Sequence, residues 1–268
     1  MTTRPGRQPR NRWLSGFGEL LITAAVVLAL FVVWQNWWTD LTAQKAFATG
    51  RTSVVDQWGA TLDSDGIPGP SRPLPAPTPS GGTHTGSGSQ TGSGTHTGSG
   101  AQAGSDTHTS TRKPIKTIGL MFVPALQKRD LWGQPIVEGT STRALNHGVG
   151  HYPGSASAGG IGNMGIAGHR TTHGAPFRHL DKLKPGDRVI IRIKDTWYIY
   201  ALDKSKIVRP NENWVLKSRP WRNARGRLIT LTTCHPVGSA ARRLVWWGHL
   251  VRTQPATKWA PQELKWRR

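Results

Sequence analysis

The 268-residue chain holds one cysteine, Cys234, which closes the run RLITLTTC and is followed directly by His235 and Pro236. With a single thiol there is no intramolecular disulfide to build. A lone cysteine is ordinarily a small buried hydrophobe. It becomes a nucleophile only as the thiolate, and a free thiol with a pKa of about 8.5 needs a nearby cation to ionise at neutral pH. Pro236 has no N–H and disfavours helix at the residue before it, so the strand should stop there. That puts the thiol at the rim of a sheet. His169, in GNMGIAGHR, also follows a short apolar run, residues 164–167, and should lie at a strand end. Arg243 begins the apolar run 244–251, and a hairpin between that run and the cysteine strand would set Arg243 beside Cys234. A thiol, an imidazole and a guanidinium at one rim supply what acyl transfer needs: nucleophile, proton shuttle, and a cation for the developing oxyanion.

Neighbouring residues fit other roles. His235 adjoins the thiol, but adjacent side chains on a strand face opposite ways, which makes it a lip residue. His169 and His173 have the i, i+4 spacing of zinc ligands, yet the HExxH glutamate is missing and the pair follows a glycine rather than sitting on a helix. No metal site and no organic cofactor is expected. His151 and Tyr152 suit either the surroundings of the cleft or the surface. Of Trp246 and Trp247, strand alternation sends one to the core and the other toward a groove.

The elements that must position these groups are short. Candidate strands cover residues 117–123, 135–138, 163–167, 188–194, 196–203, 228–233 and 244–251, with a Lys-Pro-Gly-Asp turn at 184–187 and a helical turn or two at 177–183. Many short strands at this spacing point to a β-barrel or sandwich. Upstream the texture differs. Residues 59–112 lack any hydrophobic period, and THTGSG occurs twice, at Thr83 and Thr95. Such a tract buries too little apolar surface to offset the entropy of ordering it and should act as a flexible tether. Its histidines, His84, His96 and His108, are spaced too widely for a metal site.

Residues 13–38 read as one membrane span, long enough and apolar enough to cross a bilayer. Arg4, Arg7, Arg10 and Arg12 precede it without an acid, which places the N-terminus in the cytoplasm; Trp34, Trp37 and Trp38 mark the far interface. A cleaved leader fits less well, because the A-x-A at Ala46-Phe47-Ala48 lies beyond the apolar run. The chain carries a formal charge of +21, and from Lys113 onward 27 bases face 8 acids. A basic domain outside the cell suits an anionic lipid or wall polymer and argues against nucleic acid as a partner.

The combination of motifs resembles the sortase family. TLTTC at 230–234 with Arg243 downstream is similar to the TLxTC…R signature of those enzymes, and Ala167-Gly168-His169-Arg170 to their histidine segment. Glu138-Gly139-Thr140, Gly150-His151-Tyr152 and Phe177…Leu180…Leu183-Lys184-Pro185-Gly186-Asp187 agree, over roughly residues 113–252. The TTCHP form and GELLIT at 18–23 resemble class E members from high-GC Gram-positive bacteria. The resemblance implies an all-β fold, a closed barrel of about eight strands with short helices, behind a transmembrane helix and a disordered linker. It implies segments of 1–12 (basic tail), 13–38 (anchor), 39–58 (juxtamembrane), 59–112 (linker), 113–253 (catalytic domain) and 254–268 (basic tail). It also implies Cys234, His169 and Arg243 as the catalytic set, with Arg242 as the neighbour that could exchange places with Arg243. The expected reaction cuts an LAxTG-like signal on secreted proteins between Thr and Gly and transfers the acyl group to an amine of a peptidoglycan precursor. A peptidase using water, and a non-catalytic wall-binding anchor protein, are the alternatives.

Overall fold

The computed structural model describes residues 12–69, 114–129, 131–221, 224, 226–257 and 260–264. Most of the expected linker and basic N-terminal tail, and the last four residues, lie outside that set. Eight strands close into a barrel: β1 (Thr117–Phe122), β2 (Gln134–Glu138), β3 (Val149–His151), β4 (Gly162–Ala167), β5 (Arg188–Ile193), β6 (Thr196–Val208), β7 (Arg227–His235) and β8 (Arg242–Pro255). Their order around the barrel is β1-β2-β3-β4-β7-β8-β6-β5. The β2/β3 and β4/β7 pairs are parallel and the rest antiparallel. Closure leaves no unpaired edge within the barrel.

Alternation along the strands fixes two faces. Ile229, Leu231, Leu244 and Trp246 join Met164, Ile166, Val189, Ile191 and Tyr200 in the interior cluster. The opposite parity of β7 and β8, namely Thr230, Thr232, Val245 and Trp247, points outward. It is roofed by the segment after β6, where Val215 packs with Val208, Val245 and Trp247. The Trp247 indole donates to the Val215 carbonyl at 3.0 Å, and Asn163 Nδ2 donates to the Lys217 carbonyl at 3.0 Å. Trp246, by contrast, is core, its indole donating to the Leu180 carbonyl at 2.9 Å. Thus each tryptophan of the pair is buried, on opposite sides of the sheet.

The first helix, α1 (Arg12–Gln57), does not stop at the end of the apolar run. Its apolar residues from Phe17 to Trp38 are exposed; beyond them Ala43, Phe47, Val54 and Val55 are buried against the barrel. Residues 59–69, assigned to the linker by composition, also pack there. Ala60 and Ile67 join Val54, Val55 and Trp58 in an outer cluster with Leu120, Phe122, Ile190, Trp197 and Ile199. The fully buried Arg192 ties this segment down, donating from Nη1 to the Pro68 and Gly69 carbonyls, both at 2.7 Å. Its guanidinium lies 4.9 Å from the Trp58 ring and 5.2 Å from that of Trp197. Residues 59–69 thus pack with the barrel, although composition groups them with the linker. The C-terminal segment is likewise attached: Ala256 and Leu264 are buried in the same cluster, and Arg252 pairs with Glu263 at 2.7 Å.

Candidate active site

β7 sits between β4 and β8, and the three carry the candidate residues at one end. On the β8 side the register is explicit: Cys234 is the cross-strand partner of Arg243, and His235 that of Arg242. Partners across an antiparallel ladder share a face, so Arg243 lies on the thiol's side and Arg242 on the other. This is the outer parity shared with Thr230 and Thr232. On the β4 side the parallel ladder ends at Ala167 and Thr232. Two further bonds carry the alignment past it. Gly168 N–H donates to the Thr232 carbonyl at 3.1 Å, and Thr233 Oγ1 donates to the Gly168 carbonyl at 2.8 Å, an offset of 65 residues. Continued one residue further, the same offset would bring His169 alongside Cys234. The ends of β4, β7 and β8 that carry these residues therefore lie at one rim.

The residues around the site were only partly foreseen. His169 Nε2 donates to Asn146 Oδ1 at 3.2 Å, which leaves Nδ1 with the lone pair in the neutral ring. Asn146 caps the C-terminal end of the short helix α2 (Thr142–Leu145). The His173 ring stacks on that of His169, centroids 5.0 Å apart and 27° between planes. Burial first, and then the like charge of His173, pushes the His169 pKa below its ordinary value. Cys234 is half-buried and its thiol is free. Arg243 Nη1 donates to the Ala240 and Arg242 carbonyls at 2.9 and 3.0 Å, so among the described residues its guanidinium rests on its own loop.

Behind the rim lies Arg170, a buried cation that sequence reasoning passed over. Its Nη2 pairs with Asp181 at 3.1 Å, and its Nη1 reaches the Cys234 carbonyl at 3.4 Å and His235 Nδ1 at 3.2 Å. It straps the histidine segment to the backbone of the cysteine strand. His235, so engaged, is a structural neighbour of the thiol. His151 is buried, with Nδ1 3.2 Å from Glu138 and Nε2 2.9 Å from Ser155 Oγ. Tyr152 reaches the floor: its hydroxyl is 2.9 Å from Thr232 Oγ1. The adjacency of Asn146 and Arg170 to the site depends on segments far apart in sequence; only the Arg following His169 offered a signal.

Among the described residues no group of three or more His, Cys, Asp or Glu is placed to hold a metal ion. The arrangement is suited to covalent catalysis on an acyl group: a thiol at a strand end, an imidazole alongside, and a guanidinium opposite.

Comparison with known proteins adds to this geometry. Residues 121–251 match the model of the sortase domain. The chain is 33% identical to sortase SrtE2 of Streptomyces coelicolor, across 98% of this chain and 92% of the relative. Among solved structures it resembles sortase E from Streptomyces avermitilis, with a TM-score of 0.52 and 37% identity over 56% of this chain and 97% of that one. Sortase E1 from Streptomyces coelicolor, solved with a tripeptide in the active site, gives a TM-score of 0.52 and 32% identity over 56% of this chain and 96% of that one.

Proposed function

Because the chain belongs to the sortase family, whose members are cysteine transpeptidases, we propose that it cleaves an LAxTG-like sorting signal between Thr and Gly and passes the acyl group to an amine of a peptidoglycan precursor. Cys234 thiolate attacks the threonine carbonyl carbon, forming the C–S bond. The C–N bond to glycine then breaks as His169 delivers its proton to the leaving amine. An incoming amine attacks the thioester, gives its proton to His169, and releases the Cys234 thiolate. Arg243 faces the oxyanion in both tetrahedral steps. The register pairing of Cys234 with Arg243 carries this reading, since it puts the cation across from the nucleophile on one face.

Residues 13–38 anchor the enzyme in the cell membrane, with the N-terminus cytoplasmic and the barrel outside. The exposed apolar surface of α1 and the tryptophans at its end support this. Secreted proteins bearing a C-terminal sorting signal would then reach the site from the outer side.

The test is incubation of the full chain with a panel of sorting-signal peptides, with and without an added amine, followed by mass analysis. Amide-linked product from an LAxTG peptide supports the reading. Hydrolysis alone, whatever amine is present, would make the chain a peptidase. Protease added to intact wall-less cells should cut within residues 81–110; full protection of that tract would reverse the orientation.

A further inference from the structure

Past Trp38 the first helix presents a single stripe to the barrel, and its leading residues meet the loop that follows His169. Asp40 Oδ1 accepts the N–H of Gly174 at 3.0 Å. Ala43 and Phe47, about one and two turns on, press against the same glycine: a Cβ there would stand 3.4 Å from Ala43 Cβ and 2.6 Å from the Phe47 ring. Arg178 stands 4.0 Å from Asp40. The loop is conformationally costly. His173, Gly174 and Ala175 have φ of 55°, 72° and 37°, three left-handed residues in succession, two of them not glycine. Such backbone persists only where its surroundings over-determine it. His173, the first of the three, is the residue whose ring stacks on His169.

We propose that Asp40 and Phe47 are positioning residues for the reaction: the docked stretch of α1 holds the 173–175 loop in its left-handed form, and the loop in turn holds His173 against the His169 ring. The inference rests on the reading of His169 as the proton shuttle. It assigns the helix a part in catalysis beyond attachment. The hydrogen bond from the Gly174 N–H to Asp40 fixes the height of the loop, and the Phe47 ring fixes its distance from the helix. Neither residue touches a reacting atom, so their loss should misplace His169 rather than weaken peptide binding. A misplacement of this kind can cost one to two orders of magnitude in the chemical step.

The test uses the full chain in detergent micelles. Asp40→Ala should lower kcat on a sorting-signal peptide about 10-fold with KM changed less than about twofold. Asp40→Asn keeps an oxygen to accept the Gly174 N–H and should restore most of the rate. Arg51→Met is the control. It removes the helix contacts to the Gly133 and Trp132 carbonyls, which lie away from the loop, and should leave kcat unchanged. A kcat for Asp40→Ala within twofold of the parent overturns the proposal. So does an equal loss in Arg51→Met, which would make the helix a general support. A second readout does not depend on turnover. The ring-proton shifts of His169, assigned by His169→Gln, are measured at a pH where both imidazoles are neutral. In Asp40→Ala they should move toward the values seen in His173→Ala. If the parent processes no peptide, the functional reading fails, and the shifts still decide the coupling: unmoved shifts refute it.

Discussion

Two arginines show how differently this fold uses the same guanidinium. Arg192 is fully buried between Trp58 and Trp197, and it donates to Pro68 and Gly69, more than 120 residues away in sequence. Burial lowers its pKa to about 10, with the charge of Asp195 opposing the fall. It stays charged at neutral pH and fastens two segments together. Arg243 stands on the barrel rim, and among the described residues its Nη1 bonds go to Ala240 and Arg242. A cation whose donors are taken by distant carbonyls builds structure. A cation resting on its own loop, across the ladder from a free thiol, can redirect its donors to a substrate.

Six substitutions break or sharpen that contrast. The largest effect belongs to the thiol: Cys234→Ala should abolish transfer while the melting midpoint moves by no more than about 2 °C. Residual transfer, followed by mass analysis of the peptide product, would end the assignment. Next is Arg243→Ala, expected to lower the chemical rate by about 10²–10³-fold in single-turnover assays, as for loss of one oxyanion donor. Arg243→Lys should rescue only in part, since the planar fork is lost. Arg242→Ala, on the other face, should be near normal. If the two alanine variants exchange behaviour, the rim register is off by one residue.

Arg192→Met reverses the pattern. It keeps most of the volume but leaves carbonyls without their donor, costing about 2 kcal/mol. That corresponds to a fall in melting midpoint of about 4–8 °C, with kcat per folded molecule unchanged. A large kcat defect here would couple the outer cluster to the chemistry. The smallest effect is His173→Ala. Burial and the His173 charge both lower the His169 pKa, so removing the second should let it rise toward, without reaching, the ordinary imidazole value. An NMR pH titration of His169 reads this directly; a further fall would refute the electrostatic account.

Much of this was legible in the residues. Seven of the eight strands overlap runs with alternating or continuous apolar character, and the closed barrel follows from the family resemblance. Strand β3 escaped because three residues, Val149–His151, are too few to show a period. The candidate triad was readable because each member ends or starts an apolar run, and strand ends are where such runs point. Asn146 and Arg170 were not, because their contacts span 23 and 64 residues of sequence. Residues 59–69 look like linker by composition, since they hold few large apolar side chains. What orders them is Arg192, a buried charge on a remote strand that no local pattern announces.

The unbroken helix from Arg12 to Gln57 also acts as a ruler. At about 1.5 Å per residue, Asp40 stands some 3 Å and Phe47 some 14 Å beyond Trp38 along the axis. If residues 13–38 cross a bilayer as proposed, with the tryptophans at headgroup level, the 173–175 loop would lie within three helical turns of the lipid. Were the acceptor amine also held in the membrane, a thioester at that height would meet it by diffusion in a plane, and the rate of acceptor capture would scale with amines per unit area. Lengthening the helix by whole turns between Trp38 and Asp40 would lift the site out of that layer and return capture to a search in three dimensions.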